Sequence, residues 1–215
     1  MKSIHKKRLV PHRPDLSGLV RGFTLIEVLI SITIFAIIMV MVISNLRSGQ
    51  FSSQLNLAAQ NLVSELRQKQ TMTLSGQFTK ICDDGSGNCE DNPGLCPEHC
   101  VEHFPLGGYG LVFVPDAEKL IFFANNNEEA PYEETEKVRE VPISPTGQVK
   151  IKEINTQTES VSHLEIIFAP PQAEISFSGD IVPGRDIVTI TLEHLGSAEQ
   201  KSITINKISG RIDVN

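Results

Sequence analysis

Four cysteines, Cys82, Cys89, Cys96 and Cys100, are spaced x6, x6 and x3, with His99 and His103 beside them. Residues of this kind support three chemistries. Outside a reducing cytoplasm, four cysteines most simply close two disulfides. These would staple a stretch with little apolar content of its own, and all three pairings stay open. Zinc is the sharper alternative, through Cys96, Cys100 and His103 with Cys82 or Cys89, although no paired Cys-x2-Cys knuckle is present. Calcium is the third, through Asp83, Asp84, Asn88, Glu90 and Asp91, whose order does not reproduce an EF-hand loop.

Elsewhere the reactive residues do not assemble into catalytic motifs. Ser162-His163 and Glu193-His194 place histidines beside acceptable partners, but adjacent strand residues point to opposite faces, so neither is a ready dyad. No Gly-x-Ser-x-Gly, His-Glu-x-x-His or phosphate-binding loop occurs. The expectation is a protein that is not an enzyme and uses no cofactor. Glu27 is the remaining chemical oddity. It is one carboxylate inside an apolar run reaching Ile43, and hydrocarbon tolerates an unpaired charge poorly.

The run from 23 to 44 would extend about 33 Å as a helix at ~1.5 Å per residue, close to a ~30 Å hydrocarbon core. Ahead of it come Lys2, Lys6, Lys7, Arg8, Arg13 and Arg21 against Asp15. The leader therefore carries +5, and the rest of the chain −12 of the total −7. The positive-inside bias places the leader in the cytoplasm and everything after residue 45 outside. A cleaved secretory signal fits poorly, because the run is long and ends in Ser44-Asn45-Leu46-Arg47 without a small-residue cleavage pattern. The acidic remainder makes nonspecific nucleic-acid binding unlikely, since phosphate contacts need Lys and Arg. Lys201, Lys207 and Arg211 are read as solvated strand edges.

The stretch Arg21-Gly22-Phe23-Thr24-Leu25-Ile26-Glu27, with the basic leader and the apolar helix, resembles the signal of the type IV pilin and pseudopilin family. The resemblance implies cleavage between Gly22 and Phe23 on the cytoplasmic face by a prepilin peptidase, and methylation of the new Phe23 amino group. It gives Glu27 an assembly role, its carboxylate neutralised in a filament by the Phe23 amine of a neighbouring subunit. The implied partners are the peptidase, an inner-membrane assembly platform and sibling pilin or pseudopilin subunits. The implied place is the bacterial inner membrane, single-pass, with the head extracytoplasmic and filament-associated after assembly.

Stepping along the chain, 1–22 is the leader that is removed and 23–45 the transmembrane half of a long helix. Residues 46–76 form its amphipathic half, 77–108 a cysteine-rich loop and 109–215 a β-rich head. Leu55, Ala58, Ala59, Leu62 and Leu66 recur at helical spacing, with Gln54, Glu65, Arg67 and Lys69 turned away. No Pro interrupts 23–75, and the helix is expected to end near Ser75-Gly76. Strands are predicted at 109–114, 119–124, 138–143, 149–154, 163–169, 174–178, 186–192, 201–206 and 211–214, separated by Pro and Gly turns. Residues 125–136 are polar and acidic and read as an exposed loop. The fold class is α+β, a long N-terminal helix packed against an antiparallel β-sheet head.

Three short stretches resemble the H-type minor pseudopilin and FimT-like group. They are Leu62-Val63-Ser64-Glu65-Leu66-Arg67-Gln68, Gly108-Tyr109-Gly110-Leu111-Val112-Phe113, and the ending Ile203 to Ile212 with its Gly210-Arg211 turn. They imply a minor pseudopilin of a type II secretion pseudopilus. A minor pilin of a type IV pilus is the alternative, and a single-span anchored binding protein a third reading.

Overall fold

The computed structural model describes residues 22–82, 89, 100–126, 132–157, 159–181 and 184–215. The chain divides into two compact units, residues 1–45 and 46–215. Helix α1 runs from Leu25 to Leu74, 50 residues without a proline. Its end has a clear cause. Gly76 takes φ +61, the left-handed geometry that glycine adopts without steric cost. Gln77 N–H then reaches Met72 C=O and Gly76 N–H reaches Thr73 C=O, the paired bonds of a Schellman motif that satisfy the last carbonyls.

In the second unit, Leu55, Ala58, Ala59, Leu62 and Leu66 are all buried, as their spacing predicts. Each large aliphatic side chain buried this way contributes about 1.5–3 kcal/mol. The same stripe continues to Lys69 and Thr73, both buried, and this corrects the reading of Lys69 as turned away. Lys69 lies three residues after Leu66, so helical geometry carries it inward whatever its charge. Its Nζ sits 3.5 Å from the centre of the Phe122 ring and 3.5 Å from Glu65 Oε2. Gln54 is half-buried, not turned out, and its Oε1 meets His194 Nε2 at 2.6 Å.

The strands are β1 (Thr79–Cys82), β2 (Cys100–His103), β3 (Gly108–Phe113), β4 (Lys119–Asn125), β5 (Lys137–Pro142), β6 (Val149–Thr156), β7 (Ser160–Val161), β8 (Leu164–Ala169), β9 (Glu174–Gly179), β10 (Ile187–His194), β11 (Gln200–Asn206) and β12 (Ile212–Val214). A 3-10 turn at Glu134–Glu136 precedes β5. They form two five-stranded antiparallel sheets, β5-β4-β3-β8-β9 and β12-β11-β10-β6-β7, and the ribbon β1-β2. Both sheets and α1 share one core, into which Tyr109, Leu111 and Phe113 of the first sheet and Val188, Ile190 and Leu192 of the second all point. Period-two alternation drives this burial.

The helix is tied to both sheets by polar contacts as well. Thr73 Oγ1 donates to Phe168 C=O at 3.0 Å on β8. His194 at the end of β10 accepts Gly196 N–H on Nδ1 at 2.9 Å, and its Nε2 meets Gln54 Oε1 of the helix at 2.6 Å. The sheets are also stitched together directly. Asp116 N–H donates to Ile151 C=O at 2.7 Å, and Ile151 N–H to Ala117 C=O at 3.0 Å. The β6–β10 register shifts at Thr191/Leu192, opposite Ile151.

Two sequence expectations change here. The 77–108 segment is not all loop, because β1 and β2 lie within it. Their ribbon pairs only four residues on each side, too few for a hydrophobic period to announce it. The 125–136 segment is not simply exposed, since Asn125 and Glu136 are both buried. Asn125 ends β4, and Glu136 turns inward to accept backbone N–H groups.

Candidate functional site

The processing and assembly residues lie at the start of α1. Gly22, Phe23 and Thr24 precede the helix, and Phe23 is 79% exposed. Thr24 is the N-cap: its C=O accepts Val28 N–H at 3.2 Å, and its Oγ1 accepts Glu27 N–H at 3.4 Å. Glu27 is therefore the third residue of the helix. Thr24-Leu25-Ile26-Glu27 has the Ser/Thr-x-x-Glu spacing of a capping box, a signal legible in the sequence and missed there. An acid in the first turn also faces the positive end of the helix dipole. Capping and charge pairing are thus both available to Glu27.

After Glu27 the helix hides its polar side chains from any apolar surroundings. Ser31 Oγ donates to Glu27 C=O at 2.8 Å and Thr33 Oγ1 to Leu29 C=O at 2.8 Å. A hydroxyl bonded to its own helix costs little to place in hydrocarbon, where unmet groups are expensive. The window Leu25–Ile43 has a mean hydropathy of 2.8, and none of it is buried within the chain. A stripe apolar all round, with nothing of its own to cover it, suits lipid or neighbouring helices. The Gly22–Phe23 peptide lies outside the helical ladder, and nothing within 4 Å crowds the position of a Cβ on Gly22. Uncrowded backbone outside a helix is what a protease can approach.

Residues 19–43 match the family model for the prokaryotic N-terminal methylation motif. That motif supports a type IV pilin-like subunit. Neither curated proteins nor solved structures give a match to the chain. The pilin-like motif family consists of structural subunits that undergo prepilin peptidase processing and assemble with other pilin subunits. With its apolar N-terminal helix, the chain reads as a membrane-anchored, single-pass protein.

The cysteine cluster resolves in part. Cys89 and Cys100 form a disulfide with a Cα–Cα distance of 6.2 Å, and Cys82 is disulfide-bonded as well. Cys82 and Cys100 face each other across the β1–β2 register, and Cys89 N–H donates to Lys80 C=O at 3.0 Å. The zinc alternative loses Cys100 as a thiolate ligand, while His103 sits half-buried at the end of β2. Cys96, His99 and the calcium candidates Asp83, Asp84, Asn88, Glu90 and Asp91 lie outside the described residues.

The adjacent Ser162-His163 and Glu193-His194 pairs each turn to other partners. Ser162 Oγ donates to Asp180 Oδ2, while His163 Nε2 meets Glu165 Oε1 at 2.8 Å. Glu193 pairs with Lys152 at 3.2 Å, and His194 is buried against Gln54 and the Phe51 ring. The sparse cations of the C-terminal strands are engaged too, Arg211 with Asp213 and Lys201 with Asn56.

Proposed function

We propose that this chain is a prepilin-type structural subunit, cleaved between Gly22 and Phe23 and methylated at Phe23. It is then assembled as a minor pseudopilin of a type II secretion pseudopilus. Before assembly it sits in the bacterial inner membrane, with the N-terminus cytoplasmic and the head extracytoplasmic. The observation that carries the reading is the methylation motif over residues 19–43, which coincides with a helix whose apolar surface the chain leaves bare. Cleavage frees an amine at Phe23. In a packed filament that ammonium meets the Glu27 carboxylate of a neighbour, because a buried charge needs a partner. The short resemblances at residues 62–68, 108–113 and 203–212 favour the pseudopilus over a type IV pilus.

The test is the intact mass of the membrane-extracted protein made with and without a prepilin peptidase. The expected result is peptidase-dependent loss of residues 1–22 and one added methyl group on Phe23. An uncut chain in both strains refutes the pathway. Glu27→Ala should be cut normally yet fail to co-purify with sheared filaments, and normal incorporation would sink the pairing. Secretion of a pseudopilus-dependent substrate, set against twitching motility in a deletion strain, separates the two machines.

A further inference from the structure

Among the described residues of the second unit, the barest large apolar side chain is Ile208, 79% exposed in the turn that joins β11 to β12. One exposed apolar residue is ordinary on a protein surface, but the way this one is held is not. The residues that turns favour are already supplied by Asn206, Ser209 and Gly210. Ser209 N–H donates to Asn206 Oδ1 at 2.9 Å, Asn206 N–H to Arg211 C=O at 2.9 Å and Lys207 N–H to Asp186 C=O at 2.7 Å. Ile208 is thus presented on hydrogen-bonded backbone, which lowers the ordering cost of docking it. The cations near it, Arg211 and Lys201, are engaged with Asp213 and Asn56, whereas no ion pair among the described residues holds the Lys207 ammonium.

A hollow of about 450 Å³ lies at the β3–β4 turn, on the outer face of the first sheet. Val112 and Ile121, paired across the β3–β4 register, and Val114, 39% exposed, give it an apolar lining. Its charged members are Asp116, Glu118 and Glu140 against Lys119, so the hollow is net acidic. Lys150 holds Asp116 at 2.6 Å, and Lys119 and Lys137 hold Glu140 at 2.9 and 3.2 Å. No ion pair among the described residues reaches the Glu118 carboxylate. An apolar side chain with a bare cation on one surface therefore matches an apolar hollow with a bare carboxylate on another.

These two surfaces sit at opposite ends of the head. The turn lies at the end of the second sheet where Ile187 pairs with Asn206. The hollow lies at the other end: Asp116 and Ala117 bond Ile151, Ile151 pairs with Leu192, and His194 two residues on meets Gln54 of α1. The eight residues of β10 separate the ends by about 23 Å at ~3.3 Å per residue. No copy can fill its own hollow, and two different surfaces that match make a head-to-tail contact that repeats from copy to copy. We propose that the Lys207-Ile208 turn of one copy of this chain docks into the Glu118 hollow of a second copy. Ile208 packs against Val112, Val114 and Ile121, and Lys207 meets Glu118. As a joint between subunits it rests on the structural-subunit reading above, but it lies wholly in the head and needs neither cleavage at Gly22 nor the Glu27 pair.

The test takes the uncut full chain in detergent, made without peptidase, and measures self-association by sedimentation over a concentration series. Ile208→Asp should weaken association by roughly tenfold or more. Lys207→Glu and Glu118→Lys should each weaken it several-fold, because like charges then meet at the contact. Mixed one to one, these two variants should regain wild-type association, since every contact between unlike chains again joins opposite charges. All three positions are solvent-accessible, so the variants keep the fold. A wild-type chain that stays single overturns the joint, as does association that none of the three changes reduces. A mixture no better than either variant alone refutes the Lys207–Glu118 pairing. Loss of capture of a co-expressed pilin-like sibling, with self-association intact, would assign the turn to that partner and overturn the self-contact. Peptidase cleavage is read separately by mass, so a chain that is cut but does not self-associate loses this joint and keeps the signal.

Discussion

The two halves of α1 share a backbone and differ in what their apolar residues meet. From Leu25 to Ile43 nearly every side chain is apolar and none is buried within the chain. From Leu55 to Leu66 the apolar residues are fewer, and those on one stripe are fully buried. Burial in this protein follows the arrangement of apolar residues, not their amount. The first half keeps its apolar residues exposed, and the second packs its stripe into the core it shares with the two sheets.

The sharpest way to break this comparison is a matched pair of truncations. Leu66→Ala should cost the head about 2–5 kcal/mol in a denaturant titration, the range for a large-to-small change in a packed core. Ile34→Ala should leave head stability within about 0.5 kcal/mol. Equal effects would contradict the burial of Leu66 and the exposure of Ile34. Next in size is the ribbon. Replacing Cys89 and Cys100 together by Ser should cost about 2–4 kcal/mol, as expected for a loop of sequence separation 11. Thermal melts with and without reductant would measure it.

A smaller change probes the cation on the buried stripe. Lys69→Met keeps the length and removes the charge above Phe122, and burying a charge offsets much of what its partners give back. The variant should stay within about 1.5 kcal/mol of wild type by thermal melt, whereas Leu66→Ala three residues earlier should not.

The smallest effect concerns a single carboxyl. Glu136 should titrate above the ordinary value of 4.5 because it is buried. Glu134, bonded to Tyr132 and Lys137, and Glu140, bonded to Lys119 and Lys137, should titrate below it. The signs follow from linkage. Between the ordinary value and its own raised value, folded Glu136 holds a proton that the unfolded chain has released, so its contribution falls as pH rises. Glu134 and Glu140 contribute above their unfolded values and lose that contribution as pH falls. Side-chain carboxyl NMR checks the order, and equal midpoints would contradict the burial of Glu136.

Much of this architecture is readable in the sequence because periodicity reports burial. The stripe Leu55, Ala58, Ala59, Leu62 and Leu66 and the alternation in β10 each declare their inner face. What escapes is polar burial. Lys69 is carried inward by the helix, and Asn125 and Glu136 by hydrogen bonds to distant backbone, none of which hydropathy can see. The ribbon β1-β2 escapes because strands of four residues are too short to show a period. The Thr24 cap was visible as a spacing and was obscured by the more conspicuous role of Glu27.

The order in which the chain visits its sheets has a consequence for how the head can fold. Strands β3 to β5 enter the first sheet, β6 and β7 the second, β8 and β9 return to the first, and β10 to β12 complete the second. Neither sheet can close until the other is partly built, and the central pairings β3–β8 and β6–β10 join distant stretches of sequence. Such non-local pairing folds slowly and exposes unpaired edges while it waits. A head of this kind has no stable half-product. In the proposed topology it would cross the membrane as an unfolded chain that needs protection until its last strand arrives, and truncation before β10 should leave a protease-sensitive head.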